Sequence, residues 1–450
     1  MKELHPYVVM LPTSPYEKLK FILTLFSSSI VLEVLNLFEW DTELCQKEII
    51  IKLSHHSNKT VINAIKKLIA LGLLSERVRI EERRKRKVKM KCYSLTDIGK
   101  WYNVLFKSIS ELDPNLVNKI ITDLATIFMS KVLSYASAFS ISLSEFLKRI
   151  ASGSLKGVIR SYKTGVLDLV VLGSIALDVY FKPRARIYAG GSGANVAVAA
   201  SKLGLKTGFV SKVSADFIGL SLLTNLVDEG VHVGLVEVDE ALETPVCTIH
   251  ELGEPPRISC SYSHDNPPVV QEITQDALNA CNNAKAIYLG EGICRVFDEL
   301  LRKLSNKKLV VYRPHKEALE HYLDECLTLL RYSPMLIINS DKEKILSKKG
   351  LNVPEDLFRE GVEQIIVTKG PQGAVLYIKG ERAVEIPAPK VKTKDVVGAG
   401  DAFSASLIYY LLRGYTLKEA VKNAVILSSF STMQIGPRKN LGILAKRIGT

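Results

Sequence analysis

The sequence predicts an α/β fold over its last two thirds: a parallel sheet covered by helices on both faces, with a small β lid. A separate basic domain of helices and one hairpin precedes it. Three observations carry this reading. Short apolar runs recur at Leu169–Leu172, Ala286–Leu289, Leu309–Tyr312, 335–338 and 364–367, with helical patterns between several of them, the alternation that builds a parallel sheet buried on both faces. Two glycine-rich stretches each stand directly before an apolar helical run. The charge is also uneven: residues 1–110 hold 19 Lys and Arg against 11 Asp and Glu, whereas residues 165–450 hold 34 against 32.

At 450 residues and a net charge of +13, the chain exceeds one typical domain. The expected divisions are 1–110, 111–164 and 165–450. A basic end joined to a nearly neutral region points to a nucleic-acid partner for the first and a small, weakly charged ligand for the second. Seven cysteines without a CxxC pair or regular framework predict a reducing compartment and no disulfides. The apolar stretch 21–38 is interrupted by Ser27, Ser28, Ser29, Glu33 and Asn36, so it reads as core helices and not as a membrane span or signal peptide. A cytoplasmic protein with no membrane partner is expected.

In the first region, 17–38 reads as one or two helices and 47–53 as another. Residues 57–71 form a third, with Val61, Ile65 and Leu68 at helical spacing and Asn58, Lys59, Asn63, Lys66 and Lys67 off that face. Gly72 ends it. Strands at 73–82 and 88–95 then flank Arg83, Arg84, Lys85, Arg86 and Lys87. This order resembles a winged helix-turn-helix, and Tyr93-Ser94-Leu95-Thr96-Asp97-Ile98-Gly99 resembles the strand-to-helix exit of MarR-like regulators. The resemblance implies double-stranded DNA as partner, with the helix carrying Asn58 and Lys59 in the major groove and the five consecutive cations along the backbone. A solvated turn, or a protein-contact surface, is the competing reading.

Residues 111–164 read as coupling helices. Asp113-Pro114 opens one, Leu116, Ile120, Leu124 and Phe128 continue at four-residue spacing, and Ser142 with Glu145 has capping-box spacing for a second. They either pack against the winged domain or join a homodimer. Residues 151–154, Ala-Ser-Gly-Ser, read as a hinge.

The chemistry concentrates at Asp395-Val396-Val397-Gly398-Ala399-Gly400-Asp401, followed by the apolar run 402–412. Small residues let the backbone approach a ligand, and the first N–H groups of a helix have no intrahelical partner, so the stretch reads as an anion cradle. Asp401 on the first turn is placed to accept a proton from a hydroxyl during phosphoryl transfer. Alone, the same residues are a helix start with an acid favoured by the macrodipole. A second motif, Gly190-Gly191-Ser192-Gly193-Ala194-Asn195, precedes a small-residue helix, and residues 170–178 read as a buried strand with Asp178 just past its end.

Together these segments resemble the PfkB family of carbohydrate and nucleoside kinases, with a ribokinase-like fold, over residues 165–450. The resemblance implies a phosphotransferase that moves a nucleotide phosphoryl group to a hydroxyl of a sugar, nucleoside or polyol, with ATP, or alternatively ADP, as donor and with Mg2+. Asp401 would be the base, with Gly398, Ala399 and Gly400 neutralising the transferred group. Asp178, Gly190, Gly191, Asn195 and Glu291 would bind the acceptor, while Asn339, Thr368, Gly370 and Gly373 would border the nucleotide. Segments 179–188 and 244–263 would form the lid. Three positions depart from the family pattern: Ser214 replaces a glycine, Val396 replaces a threonine, and Lys342 stands at the acid of Asn-x-x-Glu, with Glu343 one residue late. A monovalent-cation site is left open, and so is a second reading in which the kinase-like region is an inactive metabolite sensor serving the DNA-binding module.

Overall fold

The computed structural model describes residues 15–83, 86–107, 113, 115, 118, 122, 126, 142–162, 165–181, 184–251, 257–262, 267–305, 308–332 and 334–438. They form two compact units, divided between residues 140 and 141.

The N-terminal unit runs through helices Pro15–Phe26 and Ser29–Asn36, strand Leu44–Cys45, helices Gln46–Lys52 and Asn58–Ala70, strands Leu74–Arg83 and Arg86–Leu95, and helix Asp97–Phe106. Strand Arg86–Leu95 lies between the other two, all antiparallel. The Asn58–Ala70 helix starts where Ser57 accepts the Thr60 amide at 3.2 Å. It buries Val61, Ala64, Ile65 and Leu68 against Val31, Val34 and Leu35, leaving Asn58, Lys59, Asn63, Lys66 and Lys67 exposed. Buried Asn103 closes the end of helix Ser29–Asn36. Its amide donates to the carbonyls of Leu35 (2.8 Å) and Phe38 (3.2 Å), and its oxygen accepts from Trp40 Nε1 at 3.0 Å. A polar group can occupy this core because all its bonds are made.

The second unit contains a nine-stranded sheet in the order Val384–Ile386, Ala374–Ile378, Gln364–Thr368, Met335–Asn339, Leu309–Tyr312, Ala286–Leu289, Leu169–Leu172, Thr207–Ser214 and Val236–Asp239. Pairing is parallel from Gln364–Thr368 onward and antiparallel at the two strands before it. Apolar clusters lie on both faces, one including Val171, Tyr288 and Ile337 and the other Leu172, Leu289 and Ile338. A four-stranded sheet of Arg257–Ser261, Val246–Glu251, Ala176–Tyr180 and Arg186–Gly190 forms the lid.

Several expectations are corrected. The expected 111–164 linker divides, because helix Leu143–Ser161 belongs to the second unit. Leu155 is fully buried in its core, and Ser152 and Lys156 each reach Glu240 at 3.0 Å. The expected hinge at 151–154 lies inside this helix, with Ala151 and Ser152 buried. Asp178 is not past a strand end. The run 170–178 breaks at Gly173, whose missing Cβ admits the Gly193 backbone, so Asp178 sits in the middle of the lid strand Ala176–Tyr180. Disulfides join Cys45 to Cys92 and Cys247 to Cys260. Each pair stands directly opposite across antiparallel strands, a proximity set by register that spacing along the chain does not signal. Among the described residues, no single helix is long and apolar enough to cross a membrane.

Candidate active site

Helix Ala399–Leu412 begins at Gly398, whose φ of +80° is open to glycine at little cost. The preceding turn is fixed from within. Buried Asp395 accepts the amides of Val397 (2.9 Å) and Gly436 (2.8 Å). One of the expected cradle donors is already used, since Ala399 N–H donates to the Val396 carbonyl at 3.1 Å; the Asp401 N–H likewise donates to that of Gly398 at 3.1 Å. Among the described residues the Gly398 and Gly400 N–H groups have no such backbone acceptor.

The carboxylate of Asp401, on the first helical turn, is nearly buried. Its Oδ1 accepts from Ser192 Oγ at 2.9 Å and Arg313 at 2.6 Å, and its Oδ2 accepts from Asn195 Nδ2 at 3.1 Å. Asn195 cannot turn over, because Arg438 Nε donates to its oxygen at 2.7 Å. The same guanidinium donates to Asn225 Oδ1 (2.6 Å) and to the Gly190 carbonyl (2.9 Å). A Cβ added at Gly190 would displace the Asp178 carboxyl from where it stands. Gly191, at φ +88°, packs against the Ser174–Ala176 backbone. A Cβ on Gly400 would collide with Arg313, so the guanidinium lies against Gly400 of the cradle.

The site is charged and poorly solvated. Burial pushes Asp178 up to about 7, opposed by Arg438 and assisted by repulsion from Asp401 and Glu291. Burial also raises Glu291, whose carboxylate lies 3.7 Å from His315 Nε2. Desolvation and repulsion from Arg313 lower Lys342 to about 7, opposed by Glu291 and Asp401. Burial alone would lower Arg438 and Arg313; it brings Arg438 to about 10, while in Arg313 the fields of Tyr288 and Asp401 outweigh it and raise the group.

Asp401, Asn195, Gly190, Asp178 and Glu291 are therefore brought together. Asn339, Thr368, Gly370 and Gly373 make their bonds elsewhere. Asn339 caps helix Ser340–Lys348, accepting the Lys342 amide at 3.0 Å. Thr368 donates to the Ile338 carbonyl at 3.3 Å, and the Gly373 amide donates to that of Gly370 at 3.0 Å. A Cβ on Gly373 would strike the Ile386 carbonyl, so that glycine serves the turn. Lys342, not Glu343, faces the acids of the cleft, while Glu343 acts on Tyr377.

Sequence reasoning missed Arg313, Ser192 and Arg438. Arg313 directly follows strand Leu309–Tyr312, the same strand-end logic that singled out Glu291, so its signal was available. Ser192 lies within the quoted Gly190–Asn195 motif. Arg438 follows a Gly-Pro pair far from either motif and carried none. In the N-terminal unit, Asn58 and Lys59 are exposed at a helix start and Arg83 and Arg86 pair at the hairpin end; Arg84 and Lys85 lie outside the described residues.

Comparison with known proteins identifies a family for the second unit. Residues 167–442 match the model of the pfkB family carbohydrate kinases. The nucleoside kinase of Methanocaldococcus jannaschii is 27% identical over 267 residues, covering 58% of this chain and 84% of that enzyme. The 5-dehydro-2-deoxygluconokinase 2 of Bacillus cereus is 24% identical over 290 residues, covering 57% and 86%. The aminoimidazole riboside kinase of Salmonella enterica, solved with aminoimidazole riboside and an ATP analogue, superposes with a TM-score of 0.53 over 63% of this chain and 99% of that one, at 21% identity. With its ribokinase-like sheet and lid, and with the family match spanning more than half its length, the chain belongs to the pfkB family of carbohydrate kinases, which are small-molecule kinases.

Proposed function

We propose that the chain transfers the terminal phosphoryl group of ATP to a hydroxyl of a sugar, nucleoside or other polyol, and that its N-terminal unit is a winged helix-turn-helix that binds double-stranded DNA. The observation that carries the first half is the carboxylate of Asp401, oriented by Ser192, Asn195 and Arg313 beside the Gly400 amide. Asp401 takes the acceptor proton as the hydroxyl oxygen bonds to phosphorus and the bond to the nucleotide breaks. Asp178 and Asn195 hold the acceptor's hydroxyls. The side chains do not fit a directly ligated Mg2+. Asp401 is ion-paired with Arg313, Glu291 lies within 3.7 Å of His315, and Lys342 replaces the family's acid. Charge on the transferred group is met by Arg313, Lys342 and the Gly400 N–H. A cytoplasmic location accords with use of a nucleoside triphosphate.

Nucleotide consumption measured with ATP and with ADP across sugars, nucleosides and polyols tests this reading. Stimulation by at least one acceptor is expected. Indifference to every acceptor favours the second reading, a metabolite sensor, for which the Arg313–Asp401 pair and Lys342 are the specific observations.

The acceptor step should depend on pH through Asp178. A carboxylate accepts two hydroxyl hydrogens and exists above its pKa, so with the group at about 7 acceptor kcat/KM should rise as pH approaches neutrality, and loss of the Lys342 charge, also at about 7, should turn the profile down above it. Profiles between about pH 5.5 and 8.5 check this, and Asp178→Asn should remove the rising limb. The same shift has an opposite sign for stability. Since the folded value lies above the ordinary carboxylate value of 3.8, folding favours the protonated form, and stability falls as pH rises from that value through about 7. Asp178→Asn should therefore raise Tm above neutrality and leave it unchanged in acid.

For the N-terminal unit, replacing Arg83, Arg84, Lys85, Arg86 and Lys87 with Ala should weaken duplex binding and reduce the slope of log affinity against log salt by up to about 4. An unchanged slope would remove the hairpin from the DNA interface.

A further inference from the structure

Among the described residues, ligand-type side chains converge outside the kinase cleft at one place, where Glu33, His55 and His56 bring their donor atoms within 4.8 Å of one another. Glu33 Oε2 lies 2.9 Å from His55 Nε2 and 3.1 Å from His56 Nε2. The two rings stand 4.2 Å apart, centroid to centroid. We propose that these three side chains form a binding site for a divalent transition cation of the zinc class on the N-terminal unit, with its fourth corner open to solvent.

The donor set and the geometry both suit such an ion. Two imidazole nitrogens and one carboxylate oxygen are ligands of borderline cations and ill suited to Mg2+ or Ca2+, which take oxygen. Bonds of about 2.1 Å in a tetrahedral arrangement put neighbouring ligand atoms about 3.4 Å apart. The two observed nitrogen-to-oxygen separations are within about half an ångström of that. In the metal-free arrangement, hydrogen bonds hold the two nitrogens on one carboxylate oxygen. An ion would take the place of those two protons on Nε2: a neutral ring keeps its proton on Nδ1 and a charged ring releases it, and either way binding needs little movement.

The frame is already built. Glu33 stands on helix Ser29–Asn36, which is held in the core by Val31, Val34 and Leu35. The histidines lie on the turn between buried Leu53 and the Ser57 cap, tied by the His56 amide donating to the Leu53 carbonyl at 2.9 Å. The cysteines of this unit, Cys45 and Cys92, are joined to each other, so thiolate is not among its donors. The side chains of His55, His56 and Glu33 are 60%, 28% and 37% exposed, which lets an ion enter and leaves room for water. An ion there would clamp the start of helix Asn58–Ala70 to helix Ser29–Asn36.

The test is titration of the full chain, stripped with a chelator, first with Co2+ and then with Zn2+. The expected result is a single Co2+ per chain, with visible d–d absorption, without thiolate charge-transfer bands, and displaced by Zn2+. His55→Ala/His56→Ala should abolish that binding. Glu33→Gln, which keeps both rings and decides the matter should the double variant misfold, should weaken it by about tenfold or more. An ion bound equally well by these variants, a thiolate band, or no bound ion in the wild type would overturn the proposal and leave a hydrogen-bonded surface cluster.

Discussion

Asp401→Asn is expected to lower turnover by about a thousandfold or more while acceptor affinity changes little, because a positioned base contributes about a hundred- to ten-thousandfold and its amide cannot take a proton. The amide keeps the volume, and its oxygen can still accept from Ser192 and Arg313. Its NH2 would then confront Asn195 Nδ2, which Arg438 prevents from turning over, so a small structural cost is built into the variant. Measuring single-turnover nucleotide consumption alongside acceptor binding separates the two effects. Turnover within about tenfold of wild type would show that Asp401 is not the base, since even the weakest general base contributes more than that.

Arg313→Ala should have the next largest effect, lowering kcat by about a hundred- to a thousandfold with acceptor KM little changed. That is the pattern for loss of a cation aimed at charge developing in the transition state. The guanidinium is placed to serve both ends of the transfer, bonded to Asp401 at 2.6 Å and packed against Gly400. A lysine supplies a point charge without the planar fork, so Arg313→Lys should recover only part of the rate. Removal also leaves a nearly buried carboxylate unpaired, at a cost of about 3 kcal/mol in stability, which a denaturant midpoint would register separately. A rise in turnover on Arg313→Ala would reverse the assignment and make the arginine a counter-ion that holds the base out of use.

How much of this was legible in the sequence follows from how local each signal is. Strands such as Ala286–Leu289 and Leu309–Tyr312 are short unbroken apolar runs, and the structure begins and ends them where the run does. Strand Thr207–Ser214 is equally buried yet carries Ser211, Lys212 and Ser214, so its polar residues hid it. Lys212 and Ser214 find their partners beyond the strand: Lys212 meets Asp239 at 3.1 Å, and Ser214 bonds Asp216 and the Leu242 carbonyl. Asp401 and Asn195 were found because each lies in a glycine motif whose backbone geometry restricts the residues allowed. Arg313, 88 positions from Asp401, was legible only as a strand-end residue and not as its partner, while Arg438, 243 positions from Asn195, carried no signal, since no periodicity reaches that far. Of helix Leu143–Ser161 only the start was read, from its Ser142 cap, and it was given to the wrong neighbour, because an apolar stripe declares that it will be buried and not by what.

The three hydrogen bonds from Arg438 to Asn195, Asn225 and the Gly190 carbonyl have a consequence for biosynthesis. Translation delivers Asn195 243 positions before the guanidinium that keeps it from turning over. A nascent chain can assemble lid and sheet, yet this pocket acquires its final orientation only after residue 438 has emerged, so its ordering follows the sheet and does not accumulate with it.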